Sequence, residues 1–486
     1  MSNQGTESDR CDVAVVGGGA AGLWVALQAS ESGAAVVILS RTALSESASF
    51  RAQGGLAAAL EPGDSPEQHA ADTIAAGRGL CRPSAVAVLT EGAPAAVHEL
   101  LELGVNFDRD PDGSLQLGLE GGHTRRRIVH SRGSESGREI TARLATLVAE
   151  ADSIETRERT SAMALWNGDG ACHGVITDRG ALSAGATVLA TGGSAALWKR
   201  TTNPWGAIGA GPVMAQAAGA DLADLELCQF HPTALALPGS PWDATLITEA
   251  VRGEGAVLLD AAGKRFTDEL APRDAVAAAV LARMQADGTD SVKLDLREVD
   301  PARFPALFET LAEAGLNPTS EPVPVAPAAH YMMGGIVSDL DGRTSVPSLL
   351  AVGECACTGL HGANRLASNS LTECFVFGSR AAKAAAGEVA GERGDPEPSS
   401  WRFDPPQQST REAVWRLAGP LRRAEELALL ERDPYPLARA IGAGANARRE
   451  SRGGHSREDF PALDPELDGI HLVQNPKGEI RHESWV

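Results

Sequence analysis

Asp12-Val-Ala-Val-Val-Gly-Gly-Gly-Ala-Ala-Gly22 is the stretch of sequence that decides the fold. Its first five residues have the apolar, β-branched character of a short buried strand. Gly17-x-Gly19-x-x-Gly22 follows directly, and an apolar helix pattern then runs from Leu23 to about Ser32. Glycines at this spacing permit a tight turn and let the backbone approach a pyrophosphate at the helix N-terminus. Between a strand and a helix, the motif predicts a βαβ unit that binds a dinucleotide.

The second strand of this unit, Ala35-Val-Val-Ile-Leu39, ends without the expected acidic residue. In dinucleotide-binding folds an Asp or Glu ~20 residues after the glycines usually holds the adenosine ribose of NAD. Here the chain reads Leu39-Ser40-Arg41, and Arg41 could instead reach a phosphate or an adenine edge. The departure weakens an assignment to NAD and leaves FAD open.

Length and composition limit what the rest of the chain can be. At 486 residues, two or three domains are expected. With 43% hydrophobic residues, 53 glycines and 4% aromatics, the chain has the composition of a globular, Ala/Gly-rich α/β protein. The formal charge of −21 argues against nucleic acid or an anionic membrane as a partner. An anionic substrate stays possible, because a local arginine cluster can override the global charge.

The cysteines and the N-terminus predict a cytoplasmic protein. Seven cysteines are odd in number and scattered, which is typical of reduced thiols rather than a disulfide framework. Cys355-Ala-Cys357 lacks a second ligand pair, so no metal site is predicted. The polar start MSNQGTESDR lacks an apolar signal region, and no run approaches the ~18 apolar residues that a membrane span needs.

Outside the βαβ unit, the sequence predicts several helices and a linker. Residues 66–103 predict helices that Pro94 divides into two segments. Residues 387–400, rich in Glu, Pro, Ser and Gly, predict a linker. The tail from 409 predicts only two helices before an arginine-rich motif, followed by an irregular acidic stretch.

Seven further motifs concentrate residues that can bind an anion or move a proton. They are Ala48–Gly55, Glu120–Arg127, His231–Thr233, Thr248–Arg252, Ala271–Asp274, Ala328–Tyr331 and His361–Leu371. Arg365 places one fixed positive charge in a loop with little bulk, which suits an anion beside a flat ring. Arg273 lies near the start of a predicted helix, where the helix dipole disfavours a cation, so a functional reason is expected. For each motif alone, a solvated loop or surface arginine remains the alternative.

In their order along the chain these motifs resemble the succinate dehydrogenase/fumarate reductase flavoprotein family. The resemblance extends over residues 10 to about 460 and rests on eight motifs in the family's order. They are Gly17-Gly-Gly-Ala-Ala-Gly22, Arg-Ala-Gln-Gly-Gly55, Glu-Gly-Gly-His123, Gln-Phe-His-Pro-Thr233, Thr-Glu-Ala-Val-Arg252, Leu-Ala-Pro-Arg273, Ala-Ala-His330 and His-Gly-Ala-Asn-Arg365. Within the family, the chain is similar to the branch that oxidises L-aspartate, and the tail motif Ala447–His455 also resembles that branch.

The resemblance implies an α/β fold with three domains. A Rossmann-like FAD-binding domain, residues 1–224 and 332–398, is expected to be interrupted by an α+β capping domain over 225–331. A shortened C-terminal helical domain is expected over 399–486. The substrate is expected where the FAD-binding and capping domains meet.

FAD, bound non-covalently, is the cofactor that the resemblance implies. The implied contacts are Gly17, Gly18, Gly19, Ala20, Ala21, Gly22, Arg41, Ala48, Ser49, Phe50, Arg51, Ala52, Gln53, Gly54, Gly55, Ser161, Ala162, Glu354, Ser370 and Leu371. Ala48 stands where the membrane-bound dehydrogenases carry the histidine that binds FAD covalently. The family's Gly-Asp-Gly reads Gly209-Ala210-Gly211 here, so one FAD contact is expected to be lost and FAD retention to be weak.

The resemblance also assigns roles at the substrate. Arg273 corresponds to the proton-transferring arginine, and Glu249 and Arg252 to the relay that supplies it. The implied ligands of the two substrate carboxylates are His231, Thr248, His330 and Arg365. Glu120 stands where the dicarboxylate dehydrogenases carry an amide, and a carboxylate suits an α-amino group. A bidentate arginine gives a carboxylate orientation as well as charge.

The implied reaction is hydride transfer from Cα of L-aspartate to FAD, which gives iminoaspartate. The electrons are expected to pass to O2, giving H2O2, or to fumarate, giving succinate. In this family the reaction is the first step of de novo NAD biosynthesis and implies a functional link to quinolinate synthase. A soluble fumarate reductase is the alternative, and a flavin-binding protein without catalysis is a third possibility.

Overall fold

The computed structural model describes residues 9–388 and 402–485. The helices of this part of the chain are α1 (Ala20–Glu31), α2 (Pro66–Ala76), α3 (Pro83–Glu102), α4 (Ser136–Glu150), α5 (Ala210–Ala217), α6 (Ala250–Gly253), α7 (Arg273–Asp287), α8 (Pro305–Glu313), α9 (Asn369–Ala386), α10 (Gln408–Leu417), α11 (Ala424–Leu430) and α12 (Pro436–Ala447). The strands are β1 (Asp9–Val16), β2 (Val36–Ser40), β3 (Leu56–Ala57), β4 (Leu117–Gly118), β5 (Ile128–Val129), β6 (Ile154–Glu158), β7 (Ala162–Gly168), β8 (Ala171–Thr177), β9 (Gly180–Leu189), β10 (Leu222–Ala223), β11 (Cys228–Leu235), β12 (Val257–Leu259), β13 (Val292–Asp295), β14 (Val323–Met332), β15 (Gly335–Val337), β16 (Leu349–Ala351), β17 (Ala356–Cys357), β18 (Ile470–Gln474) and β19 (Ile480–Ser484).

The largest sheet contains the βαβ unit predicted from the glycine motif. Its order is β6-β2-β1-β9-β8-β7, with β16 also paired to β9. Strands β6, β2, β1, β9 and β16 run parallel to one another, while β8 pairs antiparallel with both β9 and β7. In parallel sheets of this kind a ligand binds beyond the carboxyl ends of the strands, where the strand order reverses. Because β1 lies between β2 and β9, that point is the end of β1.

Two glycines are required by the close packing of α1 on β1. Gly17 has a φ of +121°, and a Cβ added there would lie 2.1 Å from the Ala190 carbonyl oxygen. A Cβ at Gly22 would lie 1.9 Å from the Gly17 carbonyl oxygen. A side chain at Gly17 would clash with the segment after β9, and a side chain at Gly22 would push α1 away from β1. The predicted strand–helix–strand unit is therefore confirmed, with α1 beginning three residues earlier than predicted.

A second, antiparallel sheet with the order β11-β14-β13-β12 lies between residues 228 and 332. It has its own apolar core, to which α6, α7 and α8 contribute Val251, Val276 and Leu311. Strands β11 and β14 pair in a register that sets His231 opposite Ala328, which brings His330 close to His231. The mixed α/β fold class is confirmed, whereas the predicted boundaries of the three domains stay a prediction.

The C-terminal region differs from the prediction in two ways. Three helices, α10, α11 and α12, precede the arginine-rich motif, because Gly419-Pro420 ends α10 and leaves α11 as a separate short helix. The chain end is not irregular: β18 and β19 extend the sheet β17-β15-β10-β18-β19. The buried side chains of β18 explain why this segment pairs with β10. The predicted linker over 387–400 lies outside the described residues from position 389.

The predicted break at Pro94 is wrong, because Pro94 lies inside α3. An interior proline costs a helix about 3 kcal/mol through the missing hydrogen bond and the steric clash. Buried side chains lie on both sides of Pro94, at Leu89 and Val97 for example, and pack into one core. That burial outweighs the local cost. Among the residues described, no helix combines the length and apolar character needed to cross a membrane.

Candidate active site

One cleft of about 410 Å³ runs from the glycine loop after β1 to the paired strands β11 and β14. Most of the predicted site residues line it. They are Gly17, Gly18, Gly19, Ala20, Ala21, Arg41, Ala48, Ser49, Arg51, Ala52, Gln53, Gly54, Gly55, Glu120, His231, Thr248, Glu249, Arg273, His330, Glu354, Arg365, Ser370 and Leu371. The structure therefore joins motifs that are more than 300 residues apart in the sequence.

The glycine-loop end of the cleft fits the pyrophosphate of FAD. Helix α1 begins at Ala20 with no side-chain cap and no acidic residue in its first turn. The Ser49 hydroxyl accepts a hydrogen bond from the Ala20 N–H at 3.1 Å. The other N–H groups of the first turn lack partners within the helix, and the helix dipole favours an anion there. Arg41 lies at the exposed mouth and donates to the Gly206 carbonyl at 2.7 Å.

The middle of the cleft offers polar atoms for the rest of the cofactor. Gln53 donates to the Leu246 carbonyl at 3.1 Å, while its buried Oε1 has no hydrogen-bond partner among the described residues. A buried polar atom without a partner is costly, so a ligand group is expected there. Glu354 accepts from the Met332 N–H at 3.0 Å. Burial raises the pKa of the Glu354 carboxyl to about 7.

Four predicted cofactor contacts do not line the cleft. Gly22 serves the packing of α1 on β1. The Phe50 ring lies under the Arg138 guanidinium, 5.6 Å from ring centroid to Cζ. Ser161 and Ala162 follow Thr160, whose N–H donates to the Ser40 carbonyl at the end of β2 at 2.9 Å. The contact of Phe50, Ser161 and Ala162 with FAD stays a prediction.

Two neutral histidines form one wall at the other end of the cleft. The His231 and His330 ring centroids are 5.0 Å apart. Burial, with the charge of Arg273, holds the pKa of both rings well below the ordinary value. Nδ1 of His231 accepts from the Thr233 N–H at 3.3 Å, so the proton of the neutral ring lies on Nε2. His231 can therefore donate a hydrogen bond to an anion.

Arg273, Glu249 and Arg252 form a continuous buried chain of charges. Nε of Arg273 donates to Oε2 of Glu249 at 2.5 Å. The other oxygen of Glu249 lies 2.6 Å from Nη2 of Arg252 and accepts from the Gly121 N–H at 3.1 Å. Arg252 stands behind Glu249 and does not line the cleft. The relay predicted for these residues has the connectivity it needs, and its role stays a prediction.

Arg365 faces the same end of the cleft without a carboxylate partner among the described residues. Its guanidinium lies 4.7 Å from the centroid of the Tyr331 ring. Nη1 donates to the Ser370 hydroxyl at 3.1 Å, and the buried Nε has no hydrogen-bond partner. Burial and the charge of Arg273 lower the pKa of Arg365 to about 10. An anion would satisfy both the free N–H and the uncompensated charge.

Glu120 supplies the only predicted carboxylate of the substrate set. It is buried and accepts from Ser368 Oγ at 2.6 Å, with His130 Nε2 3.2 Å from its other oxygen. Burial alone would raise its pKa, but His130 and Ser368 lower it to about 2. Glu120 is therefore a buried anion opposite the arginines.

Two residues of this site were not assigned a role from the sequence. Gln229 accepts from Arg273 Nη1 at 3.0 Å and donates to the Arg365 carbonyl oxygen at 2.7 Å, so it links the two arginines. It lies two residues before His231 in a quoted motif, which was the available signal. His130 gave no such signal, because only the antiparallel pairing of β4 and β5 brings it beside Glu120.

Comparisons with known proteins agree with this geometry. A family model described as FAD binding domain matches residues 12–371, and one described as fumarate reductase flavoprotein C-term matches residues 424–479. The chain is 44% identical to an L-aspartate oxidase of Mesorhizobium japonicum, covering 93% of this chain and 92% of the relative. It is 45% identical to an L-aspartate oxidase of Caulobacter vibrioides, covering 93% and 94%. A solved E. coli quinol fumarate reductase matches with a TM-score of 0.88 at 29% identity, covering 98% of this chain and 97% of that chain.

Proposed function

Because this chain belongs to the L-aspartate oxidase family, we propose that it uses FAD to oxidise L-aspartate to iminoaspartate, the first step of NAD biosynthesis. One observation carries the proposal. The cleft ends in a set of groups complementary to both carboxylates and to the amino group of aspartate, next to a loop that fits FAD. When bound, FAD supplies the acceptor for the hydride that leaves Cα and passes the electrons to O2, forming H2O2, or to fumarate, forming succinate.

The two carboxylates of aspartate are bound by the arginine and histidine end of the cleft. Arg365 contributes a free N–H and an uncompensated charge, and His231 contributes an Nε2–H donor. Thr248 and His330 line the same end. Charge-assisted hydrogen bonds in a buried site are stronger than neutral ones, so these donors fix the orientation of the substrate. A monocarboxylate would leave part of this set unsatisfied.

Glu120 selects the α-amino group. His130 and Ser368 hold its pKa at about 2, so it is ionised near neutral pH. A buried carboxylate needs a counter-charge, and the ammonium group of aspartate supplies one. Succinate and fumarate have no such group, which separates amino-acid oxidation from plain dicarboxylate chemistry.

Arg273 is placed to move a proton at the reacting end of the substrate. Glu249 orients its guanidinium through Nε, and Gln229 holds Nη1. Arg252, paired with the same carboxylate, provides a second cation from which a proton can be replaced through Glu249. When fumarate is the acceptor, this arrangement lets Arg273 donate a proton to carbon without remaining neutral.

An anaerobic titration tests the proposed function. Purified protein reconstituted with FAD is mixed with L-aspartate, and the oxidised-flavin absorbance is followed together with iminoaspartate. The absorbance is expected to fall with one iminoaspartate formed per flavin, whereas D-aspartate leaves it unchanged. Unchanged absorbance with L-aspartate would overturn the proposal.

A soluble fumarate reductase is the second candidate, favoured by the structural match to quinol fumarate reductase. The variant Glu120→Gln separates the two. If aspartate oxidation is the main activity, the variant loses it and keeps fumarate reduction by chemically reduced enzyme. If fumarate reduction is the main activity, the wild type oxidises aspartate hardly at all and Glu120→Gln leaves its principal turnover intact.

The cellular setting is also part of the proposal. The seven free cysteines support a location in the reducing cytoplasm. Iminoaspartate is an unstable imine, so rapid consumption is expected, and quinolinate synthase is the proposed next enzyme. A pull-down from cell extract that failed to enrich that synthase would remove direct contact, while leaving the catalytic proposal unaffected.

A further inference from the structure

A second cavity of about 370 Å³ lies behind Glu120. The loop before β4, the residues after β5 and the segment leading into α8 form its walls. Exposed Arg109 and Arg132 stand at its edge, so water has access to it. None of the residues assigned to the substrate or the cofactor lines this cavity.

His130 connects this second cavity to the active-site cleft. Its ring lines the second cavity, while Nε2 lies 3.2 Å from Oε1 of Glu120, which lines the cleft. The two side chains are 10% and 1% exposed, so they form the partition between the cavities. Nδ1 of His130 has no hydrogen-bond partner among the described residues. Gly118 leaves room for the ring, because a Cβ there would lie 2.7 Å from its Cε1.

We propose that His130 is a positioning residue for aspartate. Binding of the substrate ammonium at Glu120 is coupled to release of a proton from His130 into the second cavity. This proposal rests on the proposed function. When His130 is an imidazolium, Glu120 already has a counter-charge and the pair is neutral. When His130 is neutral, Nε2–H still holds Glu120 in place, and the carboxylate carries a net charge that the ammonium neutralises.

The chemical step is a simple proton exchange. The Nδ1–H bond of the His130 imidazolium breaks, and the proton passes to water in the second cavity. The Nε2–H bond remains and continues to donate to Glu120. No electron moves, and the substrate ammonium takes the place of the imidazolium as the counter-ion of Glu120.

Charged groups around His130 keep the exchange local to Glu120. The second cavity carries Asp108, Glu254, Arg109, Arg132 and Arg303. Glu254 is paired with Arg303 and lies 3.6 Å from Arg126, while the Asp108 carboxylate accepts from the Arg132 and Gly133 N–H groups. On the cleft side, Arg273 acts on Glu120 through its charge. Glu120 is therefore the carboxylate that contacts the ring directly.

The test compares pH profiles of two reactions of the same FAD-loaded enzyme. The kcat/KM for aspartate is expected to fall about tenfold per pH unit on the acid side of a single break, because one proton must leave. The kcat/KM for fumarate reduction, which needs no ammonium at Glu120, lacks this acid limb. Absence of the limb for aspartate in the wild type overturns the proposal.

His130→Gln supplies the matched variant, because a neutral amide N–H can still donate to Glu120. Its kcat/KM for aspartate is expected to lose the acid limb and, above the break, to stay within about threefold of the wild type. The exposed His98 provides a control, and His98→Gln should keep the wild-type profile. An acid limb that survives in His130→Gln, or a parallel loss of fumarate reduction, overturns the proposal.

A measurement without turnover completes the test and separates it from the proposed function. α-Methyl-aspartate has no hydrogen on Cα, so it can bind without being oxidised. In weakly buffered solution near the break, the wild type should release a proton on binding it, while His130→Gln releases none. If the wild type oxidises aspartate but releases no proton on binding, this proposal fails and the proposed function stands. If L-aspartate is not oxidised at all, the proposed function fails first.

Discussion

This protein has two groups of buried arginines that differ in their carboxylate partners. At the cleft, Arg365 has no carboxylate partner among the described residues, and Arg273 and Arg252 share the single carboxylate of Glu249. In the C-terminal region, Arg448 pairs with Glu226 at 2.6 Å and with Glu450 at 3.1 Å. The first group holds cations in excess, whereas Arg448 in the second is matched by carboxylates.

The difference shows in the pKa values of the two groups. Burial and the neighbouring Arg273 lower the pKa of Arg365 to about 10. Burial also acts against the charged form of Arg448, but Glu226 and Asp224 outweigh it and raise its pKa. A buried cation that gains nothing from its protein neighbours is stabilised only when an anion arrives. For these two residues, the unmatched Arg365 faces the candidate ligand site, whereas the matched Arg448 stabilises the fold.

The largest effect on chemistry is expected from Arg273→Leu. Removing the proton-moving cation should lower kcat for aspartate about 10²- to 10⁴-fold, the usual range for general acid–base groups. Glu249 keeps Arg252 as a partner, so the thermal midpoint should change little. Steady-state kinetics and a melting curve measure both quantities. Arg283→Leu on the same helix is the control, and a comparable loss of kcat there would show that the effect comes from α7 as a whole.

Arg448→Leu should affect stability instead of chemistry. Breaking a buried ion pair by removing one partner costs about 3–5 kcal/mol, because Glu226 is left as an unpaired charge. Denaturant unfolding should show that loss in the free energy of unfolding, while kcat per folded flavin stays near the wild-type value. The exposed neighbour supplies the control Arg449→Leu. If Arg448→Leu and Arg449→Leu have the same free energy of unfolding, the carboxylate partners of Arg448 do not stabilise the fold.

Arg365→Leu is expected to weaken substrate binding without loosening the cofactor. A charge-assisted hydrogen bond contributes about 1.5–3 kcal/mol, which corresponds to about a 10- to 150-fold increase in the Kd for succinate. Perturbation of the flavin spectrum measures that Kd, and the FAD content of the purified protein serves as the internal control. If FAD content falls together with succinate affinity, Arg365 contributes to both sites, and the loop does not contact FAD and substrate through separate residues.

The residues of the cleft could be predicted from the sequence, but the role of Arg448 in stabilising the fold could not. Short-range spacing identifies the glycine loop, because Gly17 and Gly22 are fixed by contacts within one βαβ unit. The tail motif Ala447–His455 presents the same arginine and glycine types as the cleft motifs. Only the tertiary partners separate them, and Glu226 lies more than 200 residues from Arg448. No local pattern carries that pairing.

The errors of the sequence predictions have the same origin. Pro94 was expected to end a helix, but packing on both sides of it decides otherwise. Phe50 lies outside the cleft with its ring against Arg138 of α4, and its contact with FAD stays a prediction. His130 was not singled out, because its importance depends on the contact with Glu120 and on a cavity behind it. Each case depends on tertiary packing that the local sequence pattern does not show.

The smallest effect is expected when pH changes around the unmatched arginines. In both regions a buried histidine lies beside arginines with its pKa held well below the ordinary value: His231 and His330 at the cleft, His455 beside Arg422 in the tail. A lowered pKa means that the ring has already lost its proton well below neutral pH. The charge of these histidines therefore stays constant as pH rises through neutrality, whereas the Glu354 carboxyl, with a pKa of about 7, changes its charge there.

In the variant Glu354→Gln, which removes the cleft carboxyl with a pKa of about 7, the Kd for succinate should consequently change by no more than about twofold between about pH 6.5 and 8, because neither histidine titrates there. Isothermal titration in two buffers of different ionisation enthalpy checks that no proton is taken up. A histidine with an ordinary pKa would bind the dianion more tightly as pH falls, by up to about tenfold per unit. Such tightening would show that the arginines do not hold the rings neutral, and that part of the anion charge is matched by imidazolium rather than by Arg365.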